Sequence, residues 1–209
     1  MRVWPPPDGQ GSYDFGAVAA RNLIYGQVAF FCFLFLCFLV NGSAFGHNHG
    51  FSFYGSNDQT FVLYALGFAG AAFFFGRAAT CAERIGGETG VRLATGIRTL
   101  IALLLLDLST PDTIDQLFYD AHIVASVLLF LFELGFGLWL MVRVVWSVSG
   151  RLLLGCQFLA GVSAGLSQVH WLSLLGESIL VYQVAFGVLL AVAATALEPA
   201  AQRLTSRSA

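Results

Sequence analysis

The chain has no lysine, and charged residues make up only 11% of its 209 positions. A soluble chain carries roughly 25%, so a surface that faces water on every side is excluded. Ten basic residues against twelve acidic ones leave a formal net charge of -2. With no positive excess to neutralise a phosphate backbone, nucleic acid is excluded as the main ligand. Catalytic signatures are equally sparse. There is no Walker lysine, no GxSxG elbow, no HExxH, and no helix-breaking Pro/Gly pair in matching spans of two halves. The chemistry those motifs support, from cradled phosphates to zinc-activated water, therefore has no visible carrier. The one DxxD, Asp112 to Asp115, is a single copy, whereas a metal-bound diphosphate needs two that face each other. No pair of histidines is set on facing helices for a haem, and nothing identifies a cofactor. The four cysteines show neither CxxC nor zinc-ligand spacing.

What is present is hydrophobicity, at 57% of residues and a mean hydropathy of +0.77. A helix needs about 20 mostly apolar residues to cross a bilayer core of roughly 30 Å. Six stretches qualify: Leu23–Val40, Thr60–Ala82, Leu93–Leu108, Leu117–Val142, Leu152–Val169 and Leu174–Leu197. The expected fold class is thus all-α, a polytopic bundle of six transmembrane helices. Residues 1–22 are expected to be a disordered cytoplasmic N-terminal tail, 23–197 the transmembrane domain and 198–209 a cytoplasmic C-terminal tail. The first residues, with Trp-Pro-Pro-Pro in place of a charged start and a short apolar core, are not expected to be a signal peptide.

Orientation follows from the arginines. With six spans Arg2 and Arg21, then Arg77, Arg84, Arg92 and Arg98, then Arg143 and Arg151, then Arg203 and Arg207 all fall on one side. The connections on the other side, Asn41–Gln59, Ser109–Gln116 and the short one near Gln168–Ser173, contain no basic residue. By the positive-inside rule both termini are cytoplasmic. The third span needs Arg92 and Arg98 to snorkel, their guanidinium heads reaching back to the interface. On this map Cys32, Cys37, Cys81 and Cys156 lie within or at the inner ends of spans, which predicts four small buried apolar residues and no disulfide.

All four histidines, His47, His49, His122 and His170, fall in the outer half with Asp58, Asp107, Asp112, Asp115, Asp120 and Glu177. Imidazole and carboxylate together suit a cation, a metal or a polar head group. Asp120, His122, His170 and Glu177 form the candidate extracytoplasmic polar site. His47 and His49 are weak metal candidates, since two histidines two apart in a Gly-rich loop are half a site. That loop, Gly42 to Gly55, reads instead as a turn-rich segment whose aromatics rest on the interface or cap the bundle. Ser109-Thr110-Pro111-Asp112 is a helix-start signature that accounts for Asp112 and Asp115.

The fourth span carries His122, Ser126, Leu129 and Glu133 at helical spacing, a polar stripe descending into the membrane. Near the midplane an ionised Glu133 would cost at least about 2.5 to 3.5 kcal/mol, so this intramembrane acid should be neutral, paired or facing water. Gln183 and Tyr182, Gln157 and Ser163, and Arg98 are the partners at comparable depth. Gly161-Val-Ser-Ala-Gly165, with Ser163 and Ser167, predicts close packing of the fifth span, as Gly67 and Gly70 do for the second.

Phe51-Ser-Phe-Tyr-Gly, Phe118-Tyr-Asp-Ala-His122-Ile-Val-Ala-Ser and Tyr182-Gln-Val-Ala-Phe-Gly together resemble a group of uncharacterised six-helix membrane proteins common in actinobacteria, across most of the chain from about residue 23 to 197. An all-arginine basic set suits a GC-rich genome. The resemblance implies an inner-membrane protein of unassigned function and supplies no catalytic residues. The expected role is a non-enzymatic subunit, accessory, small carrier or sensor of the cell (inner or plasma) membrane. Its expected partners are the lipid bilayer and either a membrane protein or a lipid ligand. The alternative is a hydrolase or transferase acting on a lipid head group at the outer face.

Overall fold

Long runs of leucine, phenylalanine, valine and alanine without proline satisfy their own backbone groups best as helices, and the computed structural model is mostly helical over the residues it describes, 14–42, 51–110, 116–169 and 171–205, with the backbone alone for 168 and 197–205. The elements are α1 (Phe15–Val40), α2 (Ser52–Gly55), α3 (Phe61–Ile85), α4 (Gly87–Leu108), α5 (Gln116–Arg143), α6 (Val148–Gln168) and α7 (Leu175–Thr205). Among the described residues there is no strand. Four helices are long and apolar enough to cross a membrane: α1, α3, α5 and Leu175–Ala196 of α7. The other two long helices are more polar. Arg92, Arg98 and Asp107 interrupt α4, and glycines, serines and glutamines dilute α6.

Several boundaries differ from those read in the sequence. α1 begins at Phe15 rather than Leu23, because Asp14 accepts a hydrogen bond from the Ala17 N–H at 2.6 Å and caps the helix. Its first turns then bury Ala19 and Ala20 in the core. At the other end α7 runs past Leu197 to Thr205. The short α2 falls in the segment expected to be rich in turns. Phe51 and Tyr54 are buried there with Leu34, Cys37, Tyr64 and Phe68, so this segment caps the bundle. Thr60 Oγ1 fastens it, donating to the Tyr54 carbonyl at 2.8 Å.

Side-chain pairs establish the direction of each helix. Gly26 lies against Phe75, Ala29 against Gly70 and Phe33 against Gly67, so α1 and α3 are antiparallel. Here the small residues do what their spacing predicts: a Cβ at Gly67 would sit 3.0 Å from that of Phe33. Gly96 with Phe136 and Asp107 with Ser126 make α4 antiparallel to α5. Gly137 with Gln157 does the same for α5 and α6, and Ser163 with Ser178 for α6 and α7. Phe130 with Tyr182 and Phe136 with Phe186 make α5 and α7 parallel. The six long helices therefore alternate. The GxxxG of α6 is only half used, since Gly161 receives the Tyr182 ring while Gly165 is open.

One end of the bundle gathers the arginines. Arg84 lies 6.0 Å from the Phe15 ring and Arg151 5.9 Å from the Trp146 ring. Arg92 pairs with Glu88, and Arg98 reaches back to Glu83 with two hydrogen bonds of 2.6 Å. The outward faces carry Val28, Phe35, Val62, Phe73, Leu131 and Leu159, all exposed, an apolar exterior beyond what soluble monomers tolerate. Cys32 and Cys156 are exposed on it, contrary to the expected burial, and only Cys37 is fully buried. In a bilayer the outside of a helix is as apolar as its inside, so hydrophobicity does not say which way a cysteine points. All four cysteines are free.

α3 and α4 are separated by the single residue Gly86, with φ 78° and ψ -173°, followed by Gly87 at φ 67°. Essentially only glycine occupies the Gly86 region. Gly86→Ala should cost about 1 to 3 kcal/mol, read as a lower melting temperature in detergent. A variant that melts with the parent would mean the hairpin is not built on that turn.

Candidate functional site

The polar face of α5 opens on an interior cavity. His122, Ser126, Leu129 and Glu133 recur every three or four residues, which places them on one side of a helix. All four line a partly open cavity of about 140 Å³ between α1, α3, α4, α5 and α7, with Phe51 and Ser52 at the α2 end. That is room for several water molecules. Most of the wall is aromatic, with Phe30, Tyr64, Phe68, Phe130 and Phe186 among its rings.

Besides Ser52 of α2 and Tyr64 of α3, its polar side chains come from α1, α4, α5 and α7. On α4, Asp107 Oδ1 accepts a hydrogen bond of 2.6 Å from Ser126 Oγ. The same oxygen lies 3.6 Å from His122 Nδ1, which is close enough for electrostatic attraction but too long for a hydrogen bond. His122 Nδ1 is buried without a hydrogen-bond partner. Deeper along α5, Glu133 is 1% exposed and its Oε2 accepts from Gln183 Nε2 of α7 at 3.0 Å. Gln27 of α1 completes the set, its amide lying against Gly187. Among the described residues no arginine lines the cavity, and Arg98, named as a partner for Glu133, is engaged with Glu83 instead.

This wiring bears on chemistry. A serine nucleophile is activated when its hydroxyl is hydrogen-bonded to a histidine that a carboxylate orients. Here Ser126 donates to the carboxylate itself, so the order of a triad is not assembled. The cluster can hold a polar or charged group and exchange protons with it. Of the residues first named for an outer site, His122 lines the cavity while Asp120 and Glu177 are exposed and do not. Asp120 accepts from Gln116 Nε2 at 2.8 Å, within its own helix, and the acid beside His122 is Asp107. His170, His47 and His49 lie outside the described residues. Among the described residues no three His, Cys, Asp or Glu side chains converge as metal ligands.

Gln27 and the pairing role of Asp107 were missed in the sequence. The signal was there: each is a polar side chain in an otherwise apolar run, where it must find a partner. A second polar seam lies between α5, α6 and α7. Tyr182 Oη donates to the Phe130 carbonyl at 2.7 Å and Ser178 to Ser163 at 2.8 Å, beside the fully buried Gln157. The chain matches no protein-family model, no curated protein and no solved structure.

Proposed function

We propose that the chain is a six-span protein of the cell membrane, both termini cytoplasmic, acting as a small non-enzymatic carrier or sensor whose ligand sits in the interior cavity. The observation that carries this reading is the cavity itself, a wet-sized space at membrane depth into which His122, Ser126, Glu133, Asp107, Gln27 and Gln183 are gathered. Polar side chains are costly there and persist where they serve a ligand or ion path. The alternation of the six long helices supports the span count, and the gathering of arginines at one end supports the orientation. The lipid bilayer is its surrounding partner, and a membrane protein or a lipid remains within the reading as a further one. The hydrolase or transferase alternative, resting on Asp120, His122 and His170, draws less support, because Asp120 is exposed and does not line the cavity with His122.

Mass spectrometry of protein purified in mild detergent tests the binding role. A copurifying small molecule should be found, and it should be lost in Leu129→Trp, which fills the cavity between Ser126 and Glu133. An identical complement of bound molecules in that variant would end the carrier reading. Topology is tested separately on a cysteine-free background. A cysteine at Ser56 should react with an impermeant reagent from outside the cell, and one at Glu88 should not. Outside labelling at Glu88 would reverse the orientation.

A further inference from the structure

Among the described residues no arginine lines this cavity, and the chain has no lysine, so an anion would meet no permanently charged cation there. A metal ion would want several oxygen or nitrogen ligands converging on one point, and no such group occurs among the described residues. The lining nevertheless holds two carboxyl groups, Asp107 and Glu133, and His122 with an unpartnered buried Nδ1. A protonated His122 would sit beside Asp107 at 3.6 Å. Glu133 would then be the carboxyl group left without a cationic neighbour, its recorded side-chain partner being the neutral Gln183 amide.

Around these groups the wall is aromatic. Tyr64 and Phe68 are 4.8 Å apart and Phe30 and Phe68 5.1 Å, centroid to centroid. Phe130 and Phe186 line the same cavity. Ring faces carry negative potential and attract cations most strongly where water is excluded. A carboxyl group and aromatic rings lining one cavity, with no arginine or lysine among the described lining residues, match a ligand with a positive head and an apolar body.

We propose that the cavity binds a small organic cation with an aromatic or aliphatic body, its positive group at Glu133 and its body against the phenylalanine rings. This rests on the cavity being the ligand site, as argued above. The test uses the full chain in lipid nanodiscs and equilibrium dialysis with three probes of similar bulk: phenyltrimethylammonium, its uncharged isostere tert-butylbenzene, and benzenesulfonate. Leu129→Trp serves as the blocked control that subtracts partition into lipid.

Phenyltrimethylammonium should bind saturably, about tenfold or more tightly than the uncharged isostere. Glu133→Gln should remove most of that preference and leave the isostere's affinity unchanged. Equal binding of the cation and the isostere, or preference for benzenesulfonate, overturns the cation inference while leaving the cavity as a ligand site. Saturable binding of none of the three overturns both. Undiminished cation preference in Glu133→Gln removes Glu133 as the counter-charge and with it the proposal.

Discussion

Gly187→Leu and Gly96→Leu should each remove about 1 to 3 kcal/mol of stability or more, losing most of the monodisperse peak in size-exclusion chromatography after mild heating. At Gly187 an added Cβ would occupy the place of the Gln27 amide, and at Gly96 that of the Phe136 ring. Neither neighbour retreats easily. Gln27 stands between α1 and α7 at the cavity wall, and Phe136 is stacked between Phe132 and Trp139 at 5.5 and 5.7 Å. Gly135 and Gly165, where a Cβ meets nothing within 4 Å, provide the contrast. Leucine there should be tolerated to within about 0.5 kcal/mol. Comparable damage at Gly165 would mean that the second glycine of the GxxxG packs against a partner after all.

Glu133→Ala should cost about 1 to 2 kcal/mol, because it leaves the Gln183 amide without its acceptor in a setting where water is scarce and enlarges the cavity. Glu133→Gln keeps the shape and an acceptor oxygen, so folded yield and melting temperature should remain close to the parent's. The pair of variants separates two roles. A hydrogen-bonding group tolerates the amide in every assay. A group that carries protons or faces a cation retains the fold with glutamine and loses the pH-dependent activity or the binding. Equal loss of folded protein for Gln and Ala would mean an ionised carboxylate held by a cation. With Arg98 held by Glu83 at 2.6 Å and no arginine in the cavity lining among the described residues, that outcome would overturn the described arrangement.

The candidate site was legible in part. Helical spacing alone put His122, Ser126 and Glu133 on one face, because the periodicity of a helix does not depend on what surrounds it. Gln183 stood among several partners at matching depth, and nothing in one chain ranks groups on different helices. Asp120 attracted attention by adjacency to His122, yet residues two apart on a helix point in different directions. The imidazole meets Asp107 of the neighbouring helix instead.

The sequence by itself determined the helices and the grouping of charge, since both depend on local composition. Apolar length forces backbone groups to pair within a segment, and the described chain forms six helices of 21 residues or more close to the expected stretches. Arg84, Arg92, Arg143 and Arg151 fall near helix ends for the same local reason. Tertiary structure decided which faces turn inward. In a bilayer both sides of a helix are apolar, so hydrophobicity loses the contrast that marks a core in a soluble protein. What positions the helices is shape and scarce polar pairing: Gly96 under Phe136, Gly67 against Phe33, Gln183 on Glu133, Ser126 on Asp107. Those pairings join residues from 19 to 50 positions apart, and only the folded bundle brings them together around one cavity.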